Sequence, residues 1–184
     1  MHHTLPLPPL LSDEYRKLNA ELHQREPTYG TTGRRYVDII RSLVRKHNAR
    51  HILDYGCGKC DLWQALHKEI EVRNFDPALP GLDARPEPAD VVACIDVLEH
   101  VEPEYLDNVL TDLARATLRA ALITIATRPA LKLLADGTNP HRILEDSRWW
   151  VSRLEQYFQV TDVGAQSLGT AVQVIAEPAL GRDS

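Results

Sequence analysis

Residues 51–62 constrain the fold more than any other stretch. His51-Ile52-Leu53-Asp54-Tyr55 is apolar enough for a buried strand. Gly56-Cys57-Gly58-Lys59-Cys60 is a glycine turn, and Asp61 opens a helix carrying Leu62, Leu66 and Ile70. A strand, a glycine turn and a helix in that order place small residues and free helix N–H groups at the carboxyl end of a strand, where open α/β sheets bind ligands. About twenty residues on, the strand Val72–Phe75 ends at Asp76-Pro77. An acid there suits the two ribose hydroxyls of an adenosine cofactor.

The rest of the chain repeats the alternation. Ser12, followed by Asp13 and Glu14, caps a helix to about Gln24, and a second helix runs from about Arg35. Asp90 to Ile95 is apolar without alternation and reads as a buried strand. The spacing predicts a helix from Pro103 to Arg119, a strand from Leu122 to Ala126, a helical turn over 129–134 and an amphipathic helix from Ser147 to Phe158. Val160–Val163 and Thr170–Ala176 read as a closing hairpin. The expected fold class is therefore α/β: a Rossmann-like, open, mostly parallel sheet with a terminal antiparallel hairpin strand and helices on both faces. The segment from Asp76 to Asp90 is too short for a helix and a regular third strand, so that region is shortened. The 184 residues form one domain, with 1–28 as an N-terminal arm and helix.

Composition narrows the function classes. A net charge of −5 argues against a broad basic face for duplex nucleic acid. No apolar run reaches the ~20 residues of a membrane span, and the start MHHTLPLPPLLS lacks the pattern of a signal peptide. Three cysteines do not make a disulfide scaffold, and a cytoplasmic, reduced protein is expected.

The glycines alone fit either a dinucleotide or an S-adenosylmethionine (SAM) site. The Gly-x-Gly-x-x-Gly fingerprint fails, because its third glycine would fall at Asp61, and no phosphate-binding Gly-x-x-x-x-Gly-Lys motif occurs. Ile52-Leu53-Asp54-Tyr55-Gly56-Cys57-Gly58-Lys59 resembles motif I of the class I SAM-dependent methyltransferases. Asp90 to Val101, ending Leu98-Glu99-His100-Val101, resembles their strand-four motif. The resemblance runs from about Tyr29 onward and is nearest to small bacterial members. It implies SAM as cofactor, with Asp54, Tyr55, Gly56 and Gly58 at its methionine end and Asp76 and Pro77 at the ribose. Backbone of Cys94, Ile95 and Asp96 would face the sulfonium. Independently of the resemblance, the position of the loop Tyr29-Gly30-Thr31-Thr32-Gly33 suggests a lid over the ligand. Cys60 stands where that motif often has a third glycine.

Two clusters remain. Asp96, Glu99 and His100 share a face if a helical turn starts at Asp96, and two carboxylates with an imidazole can hold a divalent metal. His141, in the loop Asp136 to Arg142, is a fourth candidate ligand and a candidate base. The pattern is similar to the Glu-x-x-Glu-His of methyltransferases that act on small-RNA terminal ribose and of the ubiquinone-pathway O-methyltransferases. That likeness implies magnesium, manganese or zinc. In methyltransferases without a metal, the same residues begin a helix. Asp96 and His141 are the catalytic candidates. Cys57-Gly58-Lys59-Cys60 admits a redox pair or half of a zinc site. The expected activity is O-methylation of a small-molecule or glycan hydroxyl. The rivals are a metal-free N- or C-methyltransferase, an RNA-end ribose methyltransferase and a catalytically silent SAM-binding partner protein.

Overall fold

A computed structural model describes residues 7–165 and 170–179. The chain forms α1 (Asp13–Arg25), α2 (Val37–His47), β1 (His51–Tyr55), α3 (Asp61–Leu66), β2 (Glu71–Phe75), β3 (Ala89–Ile95), α4 (Leu106–Ala116), β4 (Thr117–Ala126), α5 (Ser147–Leu154), β5 (Phe158–Ala165) and β6 (Ala171–Pro178). The six strands form one sheet in the order β2-β1-β3-β4-β6-β5. The first four run parallel, and β6 is antiparallel to both β4 and β5. The antiparallel strand thus sits inside the sheet, with β5 at the edge.

Alternation along the strands feeds two cores. Ile52, Val91, Ala93 and Leu122 pack with Ile40 and Leu43 of α2 and with Leu62 and Leu66 of α3. Leu53, Tyr55, Val92, Ile123 and Val174 pack on the other face with Leu110 and Leu113 of α4, Trp150 of α5 and Leu22 of α1. No strand forms between Phe75 and Ala89, which matches the shortened third-strand region; the chain turns there on Asp76 N–H to Leu82 carbonyl at 2.9 Å.

Several elements differ from the sequence reading, among them β4, which begins at Thr117 rather than Leu122. The helix expected to reach Arg119 stops at Ala116, because Thr117 pairs with Ala89 in the sheet and its hydroxyl closes the helix on the Leu113 carbonyl at 2.8 Å. α3 ends at Leu66, leaving Ile70 in a turn whose N–H returns to Leu66. α5 ends at Leu154, since Phe158 already pairs with Pro178. Residues 129–134 form no helix; the Ala130 N–H and carbonyl bond the Asn139 side chain, and the Leu134 N–H donates to the Thr138 carbonyl.

α1 is held from afar. Ser12 caps it, its hydroxyl accepting from the Tyr15 N–H at 3.0 Å. The Ser12 N–H and hydroxyl both donate to the buried Glu102 carboxylate, each at 2.8 Å. Losing a charged acceptor for two donors costs about 1–3 kcal/mol. We therefore expect Glu102→Ala to lower Tm by several degrees in a thermal melt. An unchanged Tm would show that α1 is anchored by its apolar contacts alone.

Candidate functional site

The carboxyl ends of β1, β2 and β3 open into a cavity of about 340 Å³, within the usual range for small-molecule sites. One wall is the glycine turn. Its N–H groups at Gly56 and Cys57 both donate to the Phe75 carbonyl, at 2.7 and 3.0 Å, which ties the turn to β2. Gly56 has φ +78°, and a Cβ there would stand 2.4 Å from Val97 Cγ2. Gly58 has φ +50°, and its Cβ would stand 2.8 Å from the Gly30 carbonyl oxygen. Both positions exclude a side chain on conformation and on space. The loop bearing Tyr29 and Gly30 lies across this turn, with the Lys59 N–H donating to the Gly30 carbonyl at 3.0 Å.

Three acids face the turn. Asp76 accepts from the Gly58 N–H at 3.1 Å and the Ala78 N–H at 3.0 Å. Burial raises its pKa against those two bonds. Asp54 is 4% exposed. Its pKa is pushed up to about 8, first by burial and then by the negative charges of Asp61 and Asp76. Such a group calls for a positive partner or a proton.

The opposite wall carries Glu99, His100 and His141, each with a potential ligand atom within 4.8 Å of the others. The loop after β4 brings His141 there. The Arg142 and Ile143 N–H groups donate to the Glu99 carbonyl at 2.6 and 3.1 Å. Asn139 holds the bend, accepting from the His141 and Ala130 N–H groups and donating to the Ala130 carbonyl. His141 Nδ1 donates to the Arg128 carbonyl at 2.6 Å, so Nε2 keeps its lone pair. Burial lowers the His141 pKa, and burial with the neighbouring His141 lowers that of His100 to about 3. Tyr29 Oη lies 3.2 Å from His100 Nδ1, and the Pro140 carbonyl accepts from the same ring. Glu99 is fully buried. Its Oε1 accepts from the Ala126 N–H at 2.8 Å, while Oε2 has no partner among the described residues. Burial, then the charge of Asp96, raises its pKa well above the carboxylate range.

Most of the sequence candidates meet in this one cavity: Tyr29, Gly30, Asp54, Tyr55, Gly56, Gly58, Asp76, Pro77, Ile95, Asp96, Glu99, His100 and His141 line it. Two placements differ. Cys94 is fully buried in the α4-side core and does not line the cavity. Asp96 does not start a helical turn with Glu99 and His100. It has φ +54°, its N–H donates to the Thr124 carbonyl at 2.9 Å, and its Oδ1 accepts from the Thr124 hydroxyl at 2.8 Å. The short helical turn begins only at Leu98. The four-residue metal set is thereby reduced to Glu99, His100 and His141.

Sequence reasoning missed Tyr15, Asn19 and His23, which α1 presents to the cavity. Asn19 Oδ1 and His23 Nδ1 are buried without partners among the described residues. Burial, then the charge of Lys59, lowers the His23 pKa to about 4. Their one sequence signal was polar residues on the helix's inward stripe. Of the paired tryptophans, Trp150 is core, and Trp149 packs edge-on against it away from the cavity.

No protein-family model and no curated protein matches this sequence. Solved structures do match in fold. The 1,6-didemethyltoxoflavin-N1-methyltransferase of Burkholderia thailandensis, with S-adenosylhomocysteine (SAH) bound, aligns at TM-score 0.65 and 14% identity over 95% of this chain and 93% of that one. The magnesium protoporphyrin IX methyltransferase of Synechocystis PCC 6803, also with SAH, aligns at 0.61 and 14% over 90% and 97%. A [4+2]-cyclase aligns at 0.55 and 12% over 79% and 81%. The chain has the Rossmann-like fold that these enzymes share.

Proposed function

We propose that the protein is a SAM-dependent methyltransferase acting on the hydroxyl of a small molecule or glycan. The observation that carries this reading is the junction of two half-sites in one cavity. The Gly56–Gly58 turn with Asp54 and Asp76 forms one wall, and His141, Glu99 and His100 form the other. The solved relatives in fold that hold SAH support the cofactor.

Bound at the turn, SAM supplies a methyl group on a sulfonium. Asp76 would accept from the ribose hydroxyls. Asp54 would face the amino-acid end, where a positive charge relieves its burial beside Asp61 and Asp76. The backbone of Ile95 and Asp96 would border the reacting centre. His141 Nε2, oriented by the Nδ1–H bond to the Arg128 carbonyl, would take the proton of the acceptor hydroxyl. Oxygen is favoured over nitrogen because a hydroxyl needs this base, whereas a neutral amine attacks without one. Alignment and proton removal together would supply most of the rate.

The donors fit a divalent metal in part. Among the described residues Glu99 Oε2 has no partner, the Nδ1–H bond of His141 leaves its Nε2 lone pair available, and His100 stands beside them. A cation held there would lower the pKa of an acceptor hydroxyl. Against it, Tyr29 and the Pro140 carbonyl already engage the His100 ring, which favours a metal-free version with His141 as base. Titrating manganese or zinc into the protein by calorimetry separates the two. A heat present in the wild type and absent in Glu99→Gln supports the metal. No heat in the wild type leaves the metal-free version.

Asp76→Ala should weaken SAH binding by at least tenfold, an effect of about 1.4 kcal/mol; unchanged affinity would contradict the cofactor assignment. Asp54→Asn should move stability and binding in opposite directions. A carboxyl whose pKa is about 8 when folded and 3.8 by default leaves the folded state progressively less stable as pH rises from about 4 to about 8. The amide removes that cost. The ligand-free variant should therefore melt several degrees above the wild type at pH 8 and bind SAH more weakly. A lower Tm would show that Asp54 is needed for folding.

A further inference from the structure

We propose that Cys57 and Cys60 are a reversible disulfide site inside the ligand-binding turn, and that closing the bond weakens the ligand held there. The two Sγ atoms already lie 3.5 Å apart. Cys57 and Cys60 are the ends of a tight turn closed by the Cys60 N–H to Cys57 carbonyl bond at 2.8 Å. Such a turn keeps its end Cα atoms under ~7 Å, within the span a disulfide bridges. Cys60 also holds a left-handed conformation, φ +55°, which favours glycine. A thiol at a position that resists side chains, beside a second thiol, indicates that the side chain matters there.

The two thiols have different access. Cys60 is half-buried, while Cys57 is buried and lines the cavity. A low-molecular-weight disulfide such as oxidised glutathione would be the oxidant. The Cys60 thiolate attacks one of its sulfurs and expels a thiolate, giving a mixed disulfide. The Cys57 thiolate then attacks Cys60 Sγ and expels the second. Two protein thiols are oxidised, one external disulfide is reduced to two thiols, and the two protein protons pass to them. Burial raises both thiol pKa values, so the exchange is slow at neutral pH and speeds up in base.

Closure from 3.5 Å to ~2.05 Å pulls on the turn whose Gly58 N–H reaches Asp76 and whose Lys59 N–H reaches the Gly30 carbonyl. A ligand that fits the reduced turn must disfavour the oxidised one, and by reciprocity oxidation must weaken the ligand. This consequence rests on the SAM reading above; the disulfide itself does not.

The test incubates the full chain in reduced or oxidised glutathione at pH 8.5 and counts alkylated cysteines after denaturation. SAH affinity is then measured on each form by calorimetry. We expect three alkylated cysteines to fall to one, Cys94, full recovery on reduction, and SAH binding at least about 10-fold weaker when oxidised. Cys60→Ser should show neither change. A count that stays at three, a stable mixed disulfide, or equal SAH affinity in the two forms overturns the proposal. Loss of two thiols in a protein that binds no SAH when reduced overturns the SAM reading and the coupling while leaving the disulfide site standing.

Discussion

The site is organised by an unbalanced group of acids. Asp54, Asp61 and Asp76 gather around a backbone turn, and Asp54 stays near-neutral only because its pKa has been driven up to about 8. Folding alone does not satisfy this arrangement. The sheet enforces it: β1 ends at Tyr55, β2 at Phe75, and the Phe75 carbonyl binds the turn from below. Strand register brings Asp54 and Asp76 to the turn, where Asp76 accepts from the Gly58 and Ala78 N–H groups. A buried carboxyl with a raised pKa beside two further acids, at the open end of a sheet, marks a candidate functional site.

The second wall is built differently. Glu99, His100 and His141 come from two segments about forty residues apart, joined by the Arg142 and Ile143 N–H groups sharing the Glu99 carbonyl and by the edge-on His100 and His141 rings. Asn139 fixes the approach. His141 is therefore held by polar bonds of a loop, while Asp54 is held by a packed sheet. The first wall is thus carried on strand ends, and the second on a loop.

The sequence was most legible where chemistry and structure are both local. The strand, the glycine turn and Asp76 follow from spacing, since a parallel sheet brings strand ends together. The missing third strand was also readable, because too few residues separate Asp76 from Ala89. Legibility failed where tertiary contacts decide. Thr117 reads as helix until the sheet claims it. Asp96 reads as sharing a helical face with Glu99 and His100 until the Thr124 hydroxyl, 28 positions away, binds its carboxylate and the helical turn starts only at Leu98. Asn19 and His23 carry no local signal of a site beyond their place on the inward stripe; α1, bonded through Ser12 to Glu102 ninety positions away and packed by Tyr15 and Leu22, lays them along the cavity.

We propose that the acid-ringed turn binds an adenosine ligand through its ammonium group, and calorimetric titration of SAH into the reduced wild-type protein across pH 6 to 9 tests this directly. The account predicts binding on the order of micromolar, tightening as pH rises towards about 8 because the bound ammonium stabilises the ionised form of Asp54. Absence of binding at every pH, or an affinity indifferent to pH across this range, would contradict it.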